Sequence, residues 1–155
     1  MAEFCAVIEF PVMRVGVRTR GEALAEIRYL PRTARLVAPK NRLAERAVRE
    51  LERYRDDPDA PFDLPLALEG TPFQREVWRA LRAIPRGQTR TYGGVARALG
   101  TAPRAVGQAC GENRLPIVIP CHRVVAAAGI GGFGHSRGGY LLEAKHWLLQ
   151  HERAL

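Results

Sequence analysis

Met13, Val15 and Val17 alternate with Arg14, Gly16 and Arg18, and Ile27 and Tyr29 alternate with Glu26 and Arg28 beyond a turn near Gly21. A period of two sends neighbouring side chains to opposite faces, so both segments predict antiparallel strands with one buried face. From Asn41 the period lengthens. Leu43, Ala47, Leu51 and Tyr54 fall on one helical face, and Glu45 and Arg49 are spaced to pair on another. The run Asp56-Asp57-Pro58-Asp59-Ala60-Pro61 then breaks all periodicity and reads as a linker. The pattern predicts a small α/β domain with its linker over residues 1–64 and a mainly helical domain over 65–155.

The second domain opens on a helix signal. Thr71 suits an N-cap, Pro72 the first helical position, and Gln74 stands where its side chain can close a capping box with Thr71. Phe73, Val77, Ala80, Leu81 and Ile84 form an apolar stripe that Pro85 and Gly87 end. Two short helices follow, Tyr92 to Leu99 and Ala102 to about Glu112, separated by Gly100 and with Thr101 as the expected cap of the second. Helix, tight turn, helix, strand and glycine-rich loop is the order of a winged helix-turn-helix, and equally of a plain two-helix corner. The second helix carries Ala102, Ala105, Gly107, Ala109 and Gly111, with only Arg104 and Gln108 as long polar side chains. Specific readout in the major groove needs several such side chains, so this helix predicts a close, sequence-independent approach to the minor groove. Close packing against another helix explains the same small residues.

Charge favours the first reading. The formal net charge is +8; residues 1–69 hold 12 Lys+Arg against 12 Asp+Glu, and residues 70–155 hold 12 against 4. The excess lies entirely in the second half, almost all of it arginine, which suits a polyanionic partner. An arginine-rich composition that merely solvates the surface gives the same count. No apolar run approaches the roughly 18 residues of a membrane span, and Met1 to Phe10 lacks the pattern of a secretory signal, so a cytoplasmic protein is expected. The three cysteines, Cys5, Cys110 and Cys121, are widely spaced, with no CxxC pair and no histidine at zinc-ligand spacing. Neither a disulfide framework nor a bound metal is expected.

Cys121 is the candidate nucleophile. Leu115-Pro116-Ile117-Val118-Ile119-Pro120 reads as a short buried strand between prolines that ends by presenting Cys121 beside His122 and Arg123. Adjacent positive charge and partial exposure lower a thiol pKa, whereas a small buried hydrophobe would also fit. Neighbours in a strand point apart, so coupling of His122 to the sulfur needs a turn or a bridging water. In the last helix Leu141, Lys145, Leu148 and Glu152 share a face, which aims Glu152 inward, where a carboxylate needs a partner. His122 is the expected partner, giving a Glu–His–Cys relay; a frayed, exposed Glu152 is the other reading.

The segment Pro120-Cys121-His122-Arg123-Val124 resembles the active-site signature of the O6-alkylguanine-DNA alkyltransferases, the methylated-DNA–protein-cysteine methyltransferases. The likeness extends through Gly70–Gln74, Val77-Trp78, Ile84-Pro85, Thr91-Tyr92-Gly93, Arg104–Gly107, Asn113, Gly138-Gly139 and Trp147–Leu149, over about residues 65 to 153. The resemblance implies an RNase H-like N-terminal domain, a winged helix-turn-helix C-terminal domain, and a monomer without cofactor that binds double-stranded DNA in the minor groove. It implies that an O6-alkylguanine, or an O4-alkylthymine, is flipped out and its alkyl group moved once and irreversibly to Cys121. His122 would then be the water-mediated base, Glu152 its orienting acid, Asn113 the brace of the site, and Tyr92 a group that crowds the flipped nucleotide and assists protonation of guanine. Arg104 would fill the gap in the base stack, with Ala105, Gly107, Thr91 and Arg123 also at the DNA and Pro116, Val124, Phe133 and Gly138 around the lesion pocket. The family often has an acidic residue where Gly94 stands, so a lost helix cap is expected there. The segment Gly131–Gly139 is longer than the family pattern. The alternatives are a lesion sensor like the alkyltransferase-like proteins, which lack the reactive cysteine, and a winged-helix regulator.

Overall fold

A computed structural model describes residues 3–131 and 139–155, and the chain divides into two compact units, Met1–Leu68 and Glu69–Leu155. In the first, β1 (Ala6–Glu9), β2 (Arg14–Arg20) and β3 (Ala23–Leu30) form an antiparallel sheet in that order. Val15 lies opposite Tyr29 and Val17 opposite Ile27, so the alternating apolar set forms one buried face. Helix α1 (Arg42–Asp56) packs on the sheet through Ala44, Ala47, Leu51 and Tyr54, and Asn41 caps it by accepting from Ala44 N at 2.8 Å.

Strand β1 escapes a period-two reading. Ala6, Val7 and Ile8 are all buried, so both faces of the strand are covered, and along its outer edge Val7 and Val37 exchange backbone hydrogen bonds of 2.9 and 3.1 Å. A strand covered on both sides loses its alternation. On α1 the ion pair formed at i,i+4 spacing is Arg46–Glu50, at 3.4 Å, rather than the expected Glu45–Arg49. Pro65 to Leu68 run with the first unit, since Leu24 N donates to Pro65 O at 2.7 Å and Ala67 N to Leu24 O at 2.9 Å.

The second unit contains α2 (Pro72–Arg82), β4 (Arg90–Thr91), α3 (Tyr92–Leu99), α4 (Pro103–Gly111), β5 (Val124–Val125) and α5 (Gly139–His151). Thr71 and Gln74 form a reciprocal capping box at 3.1 and 2.9 Å. Val77, Trp78 and Leu81 are buried, but Phe73, at the first turn, is 36% exposed and does not belong to the stripe. Trp78 Nε1 donates to Ala109 O at 2.9 Å inside the unit, tying α2 to α4. Gly100 closes α3 at φ 70°, a left-handed cap that suits glycine.

Two capping expectations change. Helix α4 starts from Ala102, without a side-chain cap and with Pro103 at its first position, so Thr101 does not cap it. Conversely α3 keeps its cap despite Gly94, because Thr91 Oγ1 accepts from Gly94 N at 2.9 Å. The described residues thus form an α/β fold with one small antiparallel sheet, five α-helices and a parallel β4–β5 pair. No described helix is long and apolar enough to cross a membrane.

Candidate active site

Leu115 to Pro120 are buried throughout but form no strand. The run coils instead: Ile119 N donates to Leu115 O at 2.9 Å, and Ile117 holds φ 74°, a left-handed backbone that a β-branched residue rarely adopts. Asn113 clamps both ends, its Oδ1 accepting from Leu115 N and its Nδ2 donating to Ile119 O, each at 2.9 Å. This fixed coil leads into a single 3₁₀ turn, Cys121–Arg123. Three residues per turn spread successive side chains by about 120° rather than by the 180° of a strand. The turn that coupling of His122 to Cys121 requires is therefore present.

Cys121 is 5% exposed, His122 fully buried and Glu152 4% exposed. Glu152 follows α5 in a final turn, its N–H donating to Leu148 O at 3.0 Å, so it is neither frayed nor solvated. Its Oε2 lies 2.9 Å from His122 Nε2. Arg123 donates to the same carboxylate twice, from Nε at 2.8 Å and from a terminal nitrogen at 3.0 Å, and once to Ile84 O at 2.7 Å. Arg123 is thus not at a DNA-facing surface: it is 6% exposed, and its guanidinium neutralises Glu152. A buried carboxylate needs such a partner.

This network sets the histidine's tautomer. A carboxylate held by Arg123 is ionised and only accepts, so His122 Nε2 carries the hydrogen and Nδ1 keeps a lone pair. Nδ1 has no protein partner among the described residues. Burial lowers the His122 pKa, against the pull of Glu152, so the ring is neutral at pH 7. Its chemistry there is that of a base.

The cysteine departs from the expectation of an acidic thiol. Burial pushes Cys121 up to about 11, opposed by the Asn113 side chain and by the charge of Lys145. Arg123, committed to Glu152, is not the cation that matters. Lys145 is the member that motif reading passes over: it is fully buried, donates to Val124 O at 2.8 Å and is pulled by burial down to about 8. Its position inside the Leu141–Leu148 stripe is the signal that could have found it. Tyr92, half-buried at the start of α3, has its ring centroid 5.8 Å from Lys145 Nζ. Burial first, then the neighbouring thiols Cys110 and Cys121, raise its hydroxyl to about 12, so it is a proton donor at neutral pH. Burial likewise raises Cys110.

Arg104 stands exposed on α4, with Ala105 and Gly107 half-buried beside it. A Cβ built on Gly107 would meet nothing within 4 Å. Interior packing therefore does not demand glycine there, whereas Val106 and Ala109 on the opposite side are buried. Thr91 is the α3 cap, and Pro116 and Val124 are buried, Val124 completely. Phe133 and Gly138 lie outside the described residues, as does most of the glycine-rich segment.

Residues 72–154 match the family model of the 6-O-methylguanine DNA methyltransferase DNA binding domain. A probable methylated-DNA–protein-cysteine methyltransferase of Acanthamoeba polyphaga mimivirus is 50% identical over 93 residues, 59% of this chain and 59% of that protein, so the match spans about six-tenths of its length. The methylated-DNA–protein-cysteine methyltransferase of Methanosarcina acetivorans is 36% identical over 156 residues, covering 96% of this chain and 97% of its own. Among solved structures, that of Mycobacterium tuberculosis OGT in complex with DNA superposes with a TM-score of 0.80 at 36% identity, over 96% of this chain and 91% of that one. On the Cys121 turn, the buried Glu152–His122 pair and these matches, the chain belongs to the 6-O-methylguanine DNA methyltransferase family.

Proposed function

We propose that this chain repairs alkylated DNA directly, moving the alkyl group of an O6-alkylguanine onto its own Cys121 in a single, irreversible turnover. The observation that carries the reading is the buried contact of His122 Nε2 with Glu152, which leaves the other ring nitrogen basic next to a cysteine in the same 3₁₀ turn. Inside a stacked duplex the alkyl carbon is closed to in-line attack, so the nucleotide rotates out, at a cost of about a few kcal/mol that a poorly paired lesion reduces. His122 Nδ1 takes the thiol proton through a water. The sulfur attacks the alkyl carbon, an S–C bond forms as the C–O6 bond breaks, and the electron pair leaves on guanine. Tyr92 gives that guanine its proton and is reprotonated from the imidazolium. Thiol and alkylguanine become thioether and guanine, with no proton left over. A thioether is a poor leaving group, so the protein is spent.

We read the second unit as a winged helix-turn-helix that meets the minor groove through α4, with the open surface at Gly107 and the small side chain of Ala105 allowing close approach. Asn113 braces the nucleophile's loop, Arg104 fills the gap in the stack, and Thr91 positions Tyr92 by capping α3. Pro116 and Val124 border the lesion pocket. The first unit, with its sheet and α1, reads as RNase H-like. The protein acts as a monomer in the cytoplasm and draws its alkyl donor from DNA, with no cofactor.

Intact-mass measurement after incubation with a duplex carrying O6-methylguanine tests this. A gain of one CH2 per molecule, mapped to the peptide containing Cys121, is expected. Unchanged mass with tight, damage-selective binding would instead mark a lesion sensor. Arg104→Ala is expected to slow transfer from duplex by roughly ten- to a hundredfold, the equivalent of a flipping cost of about 1.4–2.8 kcal/mol. Single-strand transfer should slow far less. A duplex rate equal to that of the unaltered chain would remove Arg104 from the extrusion step.

A further inference from the structure

We propose that the exposed face of α2 bearing Arg75, Arg79 and Arg82 binds the phosphate backbone of the duplex beside the segment that α4 engages; the proposal rests on the alkyl-transfer reading above. The three arginines stand at i, i+4 and i+7, hence on one face of the helix. All three are exposed, and none has an ion pair among the described residues. Seven residues rise about 10 Å along a helix axis. Phosphates recur about every 3.4 Å of duplex rise on a strand, so the face matches about three of them.

Several arginines of the first unit are held differently. Arg14, Arg18, Arg28, Arg46 and Arg55 all sit in ion pairs. Helix α1 also exposes Arg42, Arg49 and Arg53, but Glu45, Glu52 and Asp56 are interleaved along the same side. On α2 the only acid is Glu76, which stands at the edge of the stripe, about 60° around the axis from Arg79 and about 100–120° from Arg75 and Arg82. A face that only needed solubility could mix its signs as α1 does, and this one does not.

The stripe also has a position. On the helical wheel Trp78 lies next to it, about 40–100° from the three arginines. Trp78 is the residue that reaches α4, through its Nε1 bond to Ala109 O. The arginines therefore border the seam between α2 and α4, where a duplex engaged by α4 would run on. Guanidinium forks suit phosphate oxygens and carry no sequence code, which a repair protein that must work anywhere in a genome requires.

The test is the salt dependence of binding to undamaged duplex by the full chain and by R75Q/R79Q/R82Q, with R42Q/R49Q/R53Q as a charge-matched control. Each lost phosphate contact lowers the slope of log affinity against log salt by about 0.9, so the stripe variant should lose roughly two to three units of slope. The control should keep the slope of the unaltered chain, and a duplex trimmed to the α4 footprint should abolish the difference. Melting followed by circular dichroism checks that both variants remain folded. An unchanged slope in the stripe variant, or an equal loss in the control, overturns the proposal. Neither result touches the alkyl-transfer reading, which fails only if the unaltered chain gains no methyl group.

Discussion

Glu152→Gln should lower the stability of the fold by about 3–5 kcal/mol, a large share of the roughly 5–15 kcal/mol that holds a domain together. The amide fills the same space, so the loss does not come from packing. It comes from Arg123, which is 6% exposed and directs two of its three side-chain hydrogen bonds at that carboxylate. A guanidinium cannot shed its proton, and without the carboxylate its charge stays buried and uncompensated. The same change releases the histidine. An amide can donate to Nε2, which moves the imidazole hydrogen to Nδ1 and leaves no lone pair toward the thiol, so transfer should slow by about 10²–10⁴-fold, as for a missing base. Urea unfolding and single-turnover transfer read the two effects separately. Adding Arg123→Met removes the orphaned charge and should recover most of the stability, while the rate stays low. Recovery of both together would mean that Glu152 serves only the fold.

Much of this site is legible in the sequence, and the misreadings share one cause. Cys121, His122 and Glu152 stand out because an inward helical stripe that ends in a carboxylate requires a buried partner, and a histidine beside a cysteine supplies one. Arg123 misleads because a basic residue next to a nucleophile, in a chain whose excess charge is all in that half, suggests phosphate or thiolate. Nothing local reveals that Ile84 O and Glu152 will enclose it. The thiol misleads in the same way: neighbouring cations are visible in one dimension and desolvation is not, yet desolvation is the larger influence on Cys121.

The fold shows a similar division. Strands with one open face, β2 and β3, carry alternation that survives in the sequence, and α1 and α2 carry clear stripes and caps. Strand β1 and residues 115–120 are apolar and buried without alternation, so composition alone cannot separate a strand covered on both sides from a coil. Asn113 decides the second case, because its two side-chain bonds replace the ladder a strand would have needed. The cap of α3 is a smaller instance: Thr91 Oγ1 accepts from the backbone N–H of residue 94 whatever side chain stands there, and an acid at Gly94 would add only the reciprocal half of the box, acceptance from the N-cap N–H.

The resting thiol is protonated, and this sets the pH dependence of the reaction. With Cys121 near 11 only about one molecule in 10⁴ carries the thiolate at pH 7. A thiol–imidazole pair and a thiolate–imidazolium pair hold the same number of protons, so their balance does not respond to pH between the titrations of the two groups. Burial moves His122 below its ordinary value and Cys121 above its own, which widens that window at both ends. The single-turnover rate should therefore be level from about pH 6.5 upward. A shallow fall should follow near pH 8, where Lys145 loses the charge that favours the thiolate. His122→Gln removes the internal base while keeping an amide that can donate to Glu152. Its rate at pH 7 should drop by about 10²–10⁴-fold. Its log rate should then climb by one for each pH unit, since the proton must now go to solvent. A level profile in His122→Gln, or a unit slope in the unaltered chain, would show that the imidazole does not take the proton. Because only the folded fraction of the variant transfers, a modest loss of stability scales the rate at every pH alike and leaves the slope unchanged.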